Sequence, residues 1–254
     1  MSKMKIGVTE RGDAGLDLSW ETKLNGLSAA ILITKNITPH FRAAVLRNMR
    51  RHNLILHCGC TGWGHSPVEP NVPYTTEQLA ALDDLIQFGF PVEQTVLRID
   101  PILPIPSGLQ AANNVLNIAS KYDWFEAIRI RISIMDDYAH VKRRFQNAGY
   151  ATVYPGQAKF ASPEQFEAVK RLCAGYPNKI FETCAETGLN GPQFRHTGCV
   201  SEADLSIFGL TPESSGQNPQ NRNGCLCLSC KTELLSHKSQ CPHKCLYCYW
   251  CGKT

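Results

Sequence analysis

Short apolar runs alternate with amphipathic helical stretches through the first 210 of 254 residues, and this alternation narrows the fold more than any other feature of the chain. Parallel strands cannot be joined by a tight turn. They need a long crossover, usually a helix, so repeated strand–helix units specify a parallel sheet with helices packed on it. Residues 29–34 (AAILIT), 54–60 (LILHCGC), 95–99 (TVLRI), 127–134 (AIRIRISI) and 179–183 (KIFET) read as strands. Residues 41–51, 108–122 and 138–147 read as helices. Another is expected after Thr75, with Gln78 completing a capping box and Gly89 and Pro91 ending it. Ser162 and Pro163 mark one more helix start. Strict alternation over 127–134 predicts a half-buried strand with Arg129 and Arg131 on one face. Five or six such units fit a partial or full TIM-like (β/α) barrel. In that architecture function gathers on loops at the C-terminal ends of the strands.

The expected organisation is a barrel core over residues 1–210, a polar loop over 211–224 (TPESSGQNPQNRNG) and a cysteine-rich segment over 225–254. No apolar run reaches the roughly 20 residues of a membrane span. The first residues lack the apolar region of a secretory signal, so a cytoplasmic protein without membrane contact is expected. The net charge of +4 permits an anionic partner without requiring nucleic acid.

Cysteine usage carries the chemistry. Seven of the twelve cysteines lie between positions 225 and 251, a density that suggests metal ligands in a chain with no sign of secretion. Cys241, Cys245 and Cys248 form a CxxxCxxC spacing followed by Tyr249. Three close thiolates suit three irons of a [4Fe–4S] cluster and leave the fourth iron open. Zinc pairs usually read CxxC, and Cys227/Cys230 and Cys248/Cys251 supply such pairs, so spacing alone leaves a structural zinc site open. Spacing alone reads Cys184, Cys199, Cys225 and Cys227 as ordinary buried cysteines. Cys58, Cys60 and Cys173 read as packing residues, and His57 as structural. Glu69, Arg98 and Asp100 are charged groups at strand ends, either functional or loop-stabilising.

With these residues in hand, the chain resembles the radical S-adenosylmethionine (radical SAM) superfamily. More closely it resembles a circularly permuted, largely uncharacterised family with the cysteine motif at the C-terminus, related to the spore photoproduct lyase group. The resemblance rests on 9–13 (TERGD), 33–36 (ITKN), 69–73 (EPNVP), 96–104 (VLRIDPILP), 184–186 (CAE), 198–200 (GCV), 224–227 (GCLC) and 241–249. It implies a permuted barrel in which a strand near 232–236 precedes the cysteine loop and pairs with an N-terminal strand at 5–9. It implies that Cys241, Cys245 and Cys248 hold a catalytic [4Fe–4S] cluster. S-adenosylmethionine would bind the open iron and be cleaved reductively to a 5′-deoxyadenosyl radical that abstracts a substrate hydrogen.

Arg98 is the expected partner of the cofactor carboxylate, with Thr34, Lys35, Asp13 and Asp100 as further cofactor or mouth residues and Tyr249 beside the cluster. The resemblance promotes Cys184, Cys199, Cys225 and Cys227 to a second [4Fe–4S] cluster. An electron donor such as flavodoxin or ferredoxin is implied. The substrate would be a small molecule or a nucleic acid, with a thymine-derived base in DNA as the concrete version. Glu10-Arg11-Gly12, Trp250, Cys58 and Cys60 depart from the usual family wording, and Cys230 and Cys251 are extra thiols near the expected ligands.

Overall fold

The computed structural model describes residues 4–150, 153, 159–211, 224–236 and 241–251. The polar segment expected over 211–224 lies, apart from its two ends, outside the described residues.

Eight strands form one sheet: β1 (Ile6–Val8), β2 (Ala29–Thr34), β3 (Leu54–Gly59), β4 (Thr95–Ile102), β5 (Arg129–Ile134), β6 (Phe181–Thr183), β7 (Phe194–His196) and β8 (Lys231–Glu233). Their order is β7-β6-β5-β4-β3-β2-β1-β8, and every neighbouring pair is parallel. The C-terminal strand pairs with the N-terminal one, Ile6 against Lys231 and Val8 against Glu233. This is the adjacency a permuted chain requires, although β8 is shorter and starts one residue earlier than expected. No pairing joins β7 to β8 among the described residues, so the sheet is an arc compatible with a partial β/α barrel.

The helices are α1 (Pro39–Asn48), α2 (Thr75–Gln87), α3 (Pro106–Ala119), α4 (Ala139–Asn147), α5 (Pro163–Ala174) and the single turn α6 (Glu202–Leu205). None is long and apolar enough to cross a membrane. The outer face of the sheet, including Leu32, Leu56, Leu97 and Ile132, packs on Phe41, Leu79, Leu82, Val115 and Val169 of the helices. Each such aliphatic side chain contributes roughly 1.5–3 kcal/mol by leaving water. Cys58, Cys60 and Cys173 belong to this layer as free, buried thiols. Burial pushes the Cys60 thiol up to about 12, which keeps it neutral in the core.

Two local expectations change. The N-cap of α2 is Tyr74, whose backbone N–H donates to Glu77 at 3.0 Å. Gln78 instead turns into the core, where it accepts from the Ile37 N–H at 3.1 Å and donates to the Cys58 sulfur at 3.4 Å. The strand β5, expected to be half-buried, is buried on both faces, because Glu182 of β6 and Asp204 of α6 receive the arginine side chains.

That inner face carries a buried charge network. Arg131 is almost fully buried and donates to Glu182 at 2.6 Å and to Asp204 at 3.0 Å. Arg129 joins the same two carboxylates at 2.8 and 3.0 Å. The ring of His57 lies 3.3 Å from Asp204. Burial drives the imidazole down to about 4, against the pull of Asp204. Asp204 is held well below the usual carboxylate range because Arg131 and His57 outweigh its own burial. His57 is therefore a buried member of this network.

Candidate metal and cofactor site

A cavity of about 340 Å³ opens over the C-terminal ends of the strands. It is lined by Asp13, Thr34, Lys35, Arg98, Asp100 and Tyr249, by Cys241, Cys245 and Cys248, and by Cys184, Cys199, Cys225 and Cys227. Every residue expected at the cofactor and metal sites therefore faces one space. The topology explains this. Thr34 ends β2, Arg98 and Asp100 lie in β4, and Asp13, Lys35 and Cys184 follow β1, β2 and β6 at the same end of the parallel sheet, where the loop after β8 also emerges.

The motif loop is fastened from three sides. Leu246 N–H donates to Val68 O at 2.9 Å, and Asn71 donates to Pro242 O at 2.6 Å. Arg144 of α4 donates to the carbonyls of Leu246, Cys248 and Cys251. Tyr249 is held by α4 and the residues before it: its hydroxyl accepts from the Asp136 N–H at 2.8 Å, and the His140 ring lies 3.2 Å from its carbonyl. His243, inside the motif, bonds Asp13 at 2.8 Å and the Asn71 carbonyl at 3.0 Å. Asp13 outweighs burial and raises the basicity of that imidazole.

Asp13 and Thr34 line the cavity with their oxygens already engaged. The Asp13 carboxylate accepts from Gly15 N–H at 2.8 Å, from the Thr34 hydroxyl at 2.6 Å and from Lys35 N–H at 2.7 Å. These residues hold the strand end to the cysteine loop. Gly15 permits this closeness, because a Cβ there would meet the Asn36 carbonyl oxygen at 1.8 Å. Lys35 reaches Glu69 at 3.0 Å and stands 5.3 Å from the Tyr247 ring. Burial works against its charge, but Glu69, Cys245 and Asp100 outweigh burial and raise its pKa. Glu69 is fully buried and also accepts from Thr61 at 2.7 Å and from the Tyr247 hydroxyl. Arg98 pairs with Asp100, which Ser133 also contacts. Arg98 and its neighbours hold Asp100 ionised in spite of burial.

The thiols of the motif are electrostatically crowded. Burial raises the Cys245 pKa, with Glu69, Cys241 and Cys248 adding to it, and burial pushes Cys241 up to about 11. A hydrogen bond from Cys251 brings Cys248 down to about 5. A soft cationic group bound among them would relieve this crowding, and the all-sulfur donor set fits an iron–sulfur cluster.

The dispersed cysteines form a tighter group. The Cys184, Cys199 and Cys227 sulfurs lie within 4.8 Å of one another, a spacing from which one metal ion can be held. Cys184 and Cys199 are in disulfide contact. Cys227 accepts from the Cys199 N–H at 3.1 Å, and a hydrogen bond from Cys225 holds its thiol down to about 6. The loop is shaped by Glu186, which accepts from the N–H groups of Cys184 and Ala185 at 2.9 Å each. Gly198 (φ +92°) passes so close to Leu226 and Cys227 that a Cβ would meet their backbone at 2.8–2.9 Å. The reading of these four as ordinary core residues, drawn from spacing alone, misses this convergence because three separate loops supply them. His243, Tyr247 and Arg144 were also missed as supports of the site. Only the position of His243 and Tyr247 inside the motif could have signalled two of them.

Fold and site together define a parallel α/β protein with a cysteine-lined cavity at its strand ends and a cysteine group able to hold metal. Within that class the chain belongs to the family described as a domain of unknown function (DUF1848), which matches residues 19–250. No curated protein matches the sequence.

Proposed function

We propose that this protein is a radical SAM enzyme whose catalytic [4Fe–4S] cluster is held by Cys241, Cys245 and Cys248. The observation that carries the reading is the single cavity in which the three-cysteine loop faces Arg98, Lys35 and Tyr249 over the C-terminal strand ends. When bound, the cluster and S-adenosylmethionine supply one-electron reductive cleavage to a 5′-deoxyadenosyl radical.

The chain's own residues bind, orient and shield. Cys241, Cys245 and Cys248 would hold three irons of the cluster and leave the fourth to the cofactor. Arg98, set by Asp100, offers a guanidinium to a carboxylate. Lys35, which lines the cavity, pairs with the buried Glu69, and the Tyr247 hydroxyl of the cysteine loop donates to the same carboxylate. Burial of Cys245 and Tyr247 excludes water from the ligand shell. Cys184, Cys199, Cys225 and Cys227 form the second metal site, available once the Cys184–Cys199 pair is reduced. The close spacing of its sulfurs also favours a narrower second reading for that site alone, a single thiophilic ion such as zinc in place of a second cluster.

Anaerobically reconstituted protein given a reductant and S-adenosylmethionine is expected to release 5′-deoxyadenosine, and Cys245→Ala to release none. Protein that takes up only zinc and forms no product would refute the proposal.

A further inference from the structure

The sulfurs of Cys184, Cys199 and Cys227 come from three parts of the chain, each fastened on its own. Cys184 follows β6, and Glu186 accepts from its N–H at 2.9 Å. Cys199 follows β7; its carbonyl accepts from Arg131 at 2.7 Å, and its N–H donates to the Cys227 sulfur at 3.1 Å. Cys227 precedes β8, and the adjoining Leu228 N–H donates to Val200 O at 2.9 Å. Three donors are thereby set within 4.8 Å of one another. Among the described residues, no histidine, carboxylate or fourth cysteine has a donor atom inside that group. Cys225 stands beside it and hydrogen-bonds the Cys227 sulfur. Structural zinc sites close with four protein ligands, whereas sites that act on a ligand keep one position open. Three sulfurs make a site of the open kind.

Cys184, Cys199 and Cys227 all line the cavity, so an incoming donor reaches the ion from there. Three carboxylates that share the lining are committed elsewhere: Glu10 to Lys231 at 2.7 Å, Asp13 to Thr34 and His243, and Asp100 to Arg98. They are not placed to complete the site. Thiolate ligands select a soft, thiophilic ion, and such an ion favours a further sulfur over a hard oxygen donor.

We propose that the reduced triad holds one thiophilic divalent ion through three protein sulfurs, and that its fourth position takes the sulfur of a small thiol entering the cavity. Cys225 is then a hydrogen-bond partner of the site and not a ligand. This rests on the single-ion reading of the dispersed site above, which it deepens by leaving Cys225 out and naming the ligand class. It is independent of the cluster reading of the motif loop. The Cys184–Cys199 pair is opened first by a phosphine reductant: two electrons break the S–S bond, water supplies two protons, and the phosphine leaves as its oxide. When the small thiol binds, the metal–sulfur bond forms, its S–H bond breaks, and the proton passes to solvent.

The test uses the whole chain, reduced anaerobically with a phosphine, freed of it, and loaded with cobalt(II) as the probe ion. Sulfur-to-cobalt charge-transfer absorption grows with the number of thiolates bound. The spectrum of Cys227→Ala, with Cys184→Ala as an alternate blank, subtracts whatever the motif loop binds. Added 2-mercaptoethanol is expected to raise the difference band by about one third, as three sulfurs become four, with cobalt retained. Acetate is expected to leave the band unchanged. Cys225→Ala is expected to keep both the band and its response to the thiol. A parent band that ignores 2-mercaptoethanol would overturn the proposal and leave the single-ion reading intact. If Cys225→Ala then loses about a quarter of the band and becomes responsive, Cys225 is the fourth ligand. An equal response to acetate would overturn the assignment of sulfur as the incoming donor. A parent that binds no more cobalt than the blanks would overturn the proposal and the single-ion reading together.

Discussion

The two cysteine groups reach one cavity by opposite routes. Cys241, Cys245 and Cys248 lie within eight consecutive residues, and their loop is held in place by neighbours in space: Val68, Asn71 and Arg144. Cys184 and Cys199 follow β6 and β7, Cys225 and Cys227 come from the loop that precedes β8, and the four pack together. The contrast teaches that a contiguous motif declares its chemistry but depends on distant side chains for its geometry. A dispersed group declares nothing until the fold brings it together.

The sharpest way to break this comparison is to empty one site and look at the other. Cys184→Ser/Cys227→Ser should abolish metal at the dispersed site while iron at the motif loop stays near the parent level, measured as metal per chain. Loss of all iron would show that the groups are not independent. Next in size is Arg131→Met, which leaves Glu182 and Asp204 buried with half their counter-charge gone. Breaking such a pair costs roughly 3–5 kcal/mol, to be read by denaturant unfolding. Because Arg131 also donates to the Cys199 carbonyl at 2.7 Å, the dispersed site should weaken before the motif site does.

A pH effect of similar origin should be somewhat smaller. Burial holds His57 down to about 4 from its ordinary 6.5. Between those values the unfolded chain binds a proton that the folded chain refuses, so stability is full above 6.5 and falls as pH drops toward 4. The loss is on the order of 3 kcal/mol, and His57→Gln should flatten it in unfolding curves at pH 7 and 4.5. The mildest test is Arg144→Ala. It removes the charged donors to three loop carbonyls, should cost about 2 kcal/mol of loop docking, and should speed iron loss to a chelator without emptying the dispersed site first.

Much of this arrangement was legible in the sequence. Strand–helix alternation located β2 to β6, because apolar periodicity reports burial directly. The pairing of β8 with β1 followed from the resemblance, since a three-residue strand, KTE, has no periodicity to read. The strand β7 (FRH) went unseen for the same reason. Alternation put Arg129 and Arg131 on one face of a half-buried strand, but it cannot show that a single turn carrying Asp204 covers that face. Asp13 and Thr34 were marked as cavity residues, but only the structure shows their oxygens engaged with each other and with the backbone.

The central claim is that the motif loop and the cavity form one cluster and cofactor site. Electron paramagnetic resonance of the reduced, iron-loaded protein, recorded with and without S-adenosylmethionine, tests it most directly. The account predicts a cluster signal that changes when S-adenosylmethionine is added and a Cys245→Ala variant in which that responsive signal is gone. A signal indifferent to S-adenosylmethionine, or one that survives in Cys245→Ala with its response intact, would contradict it.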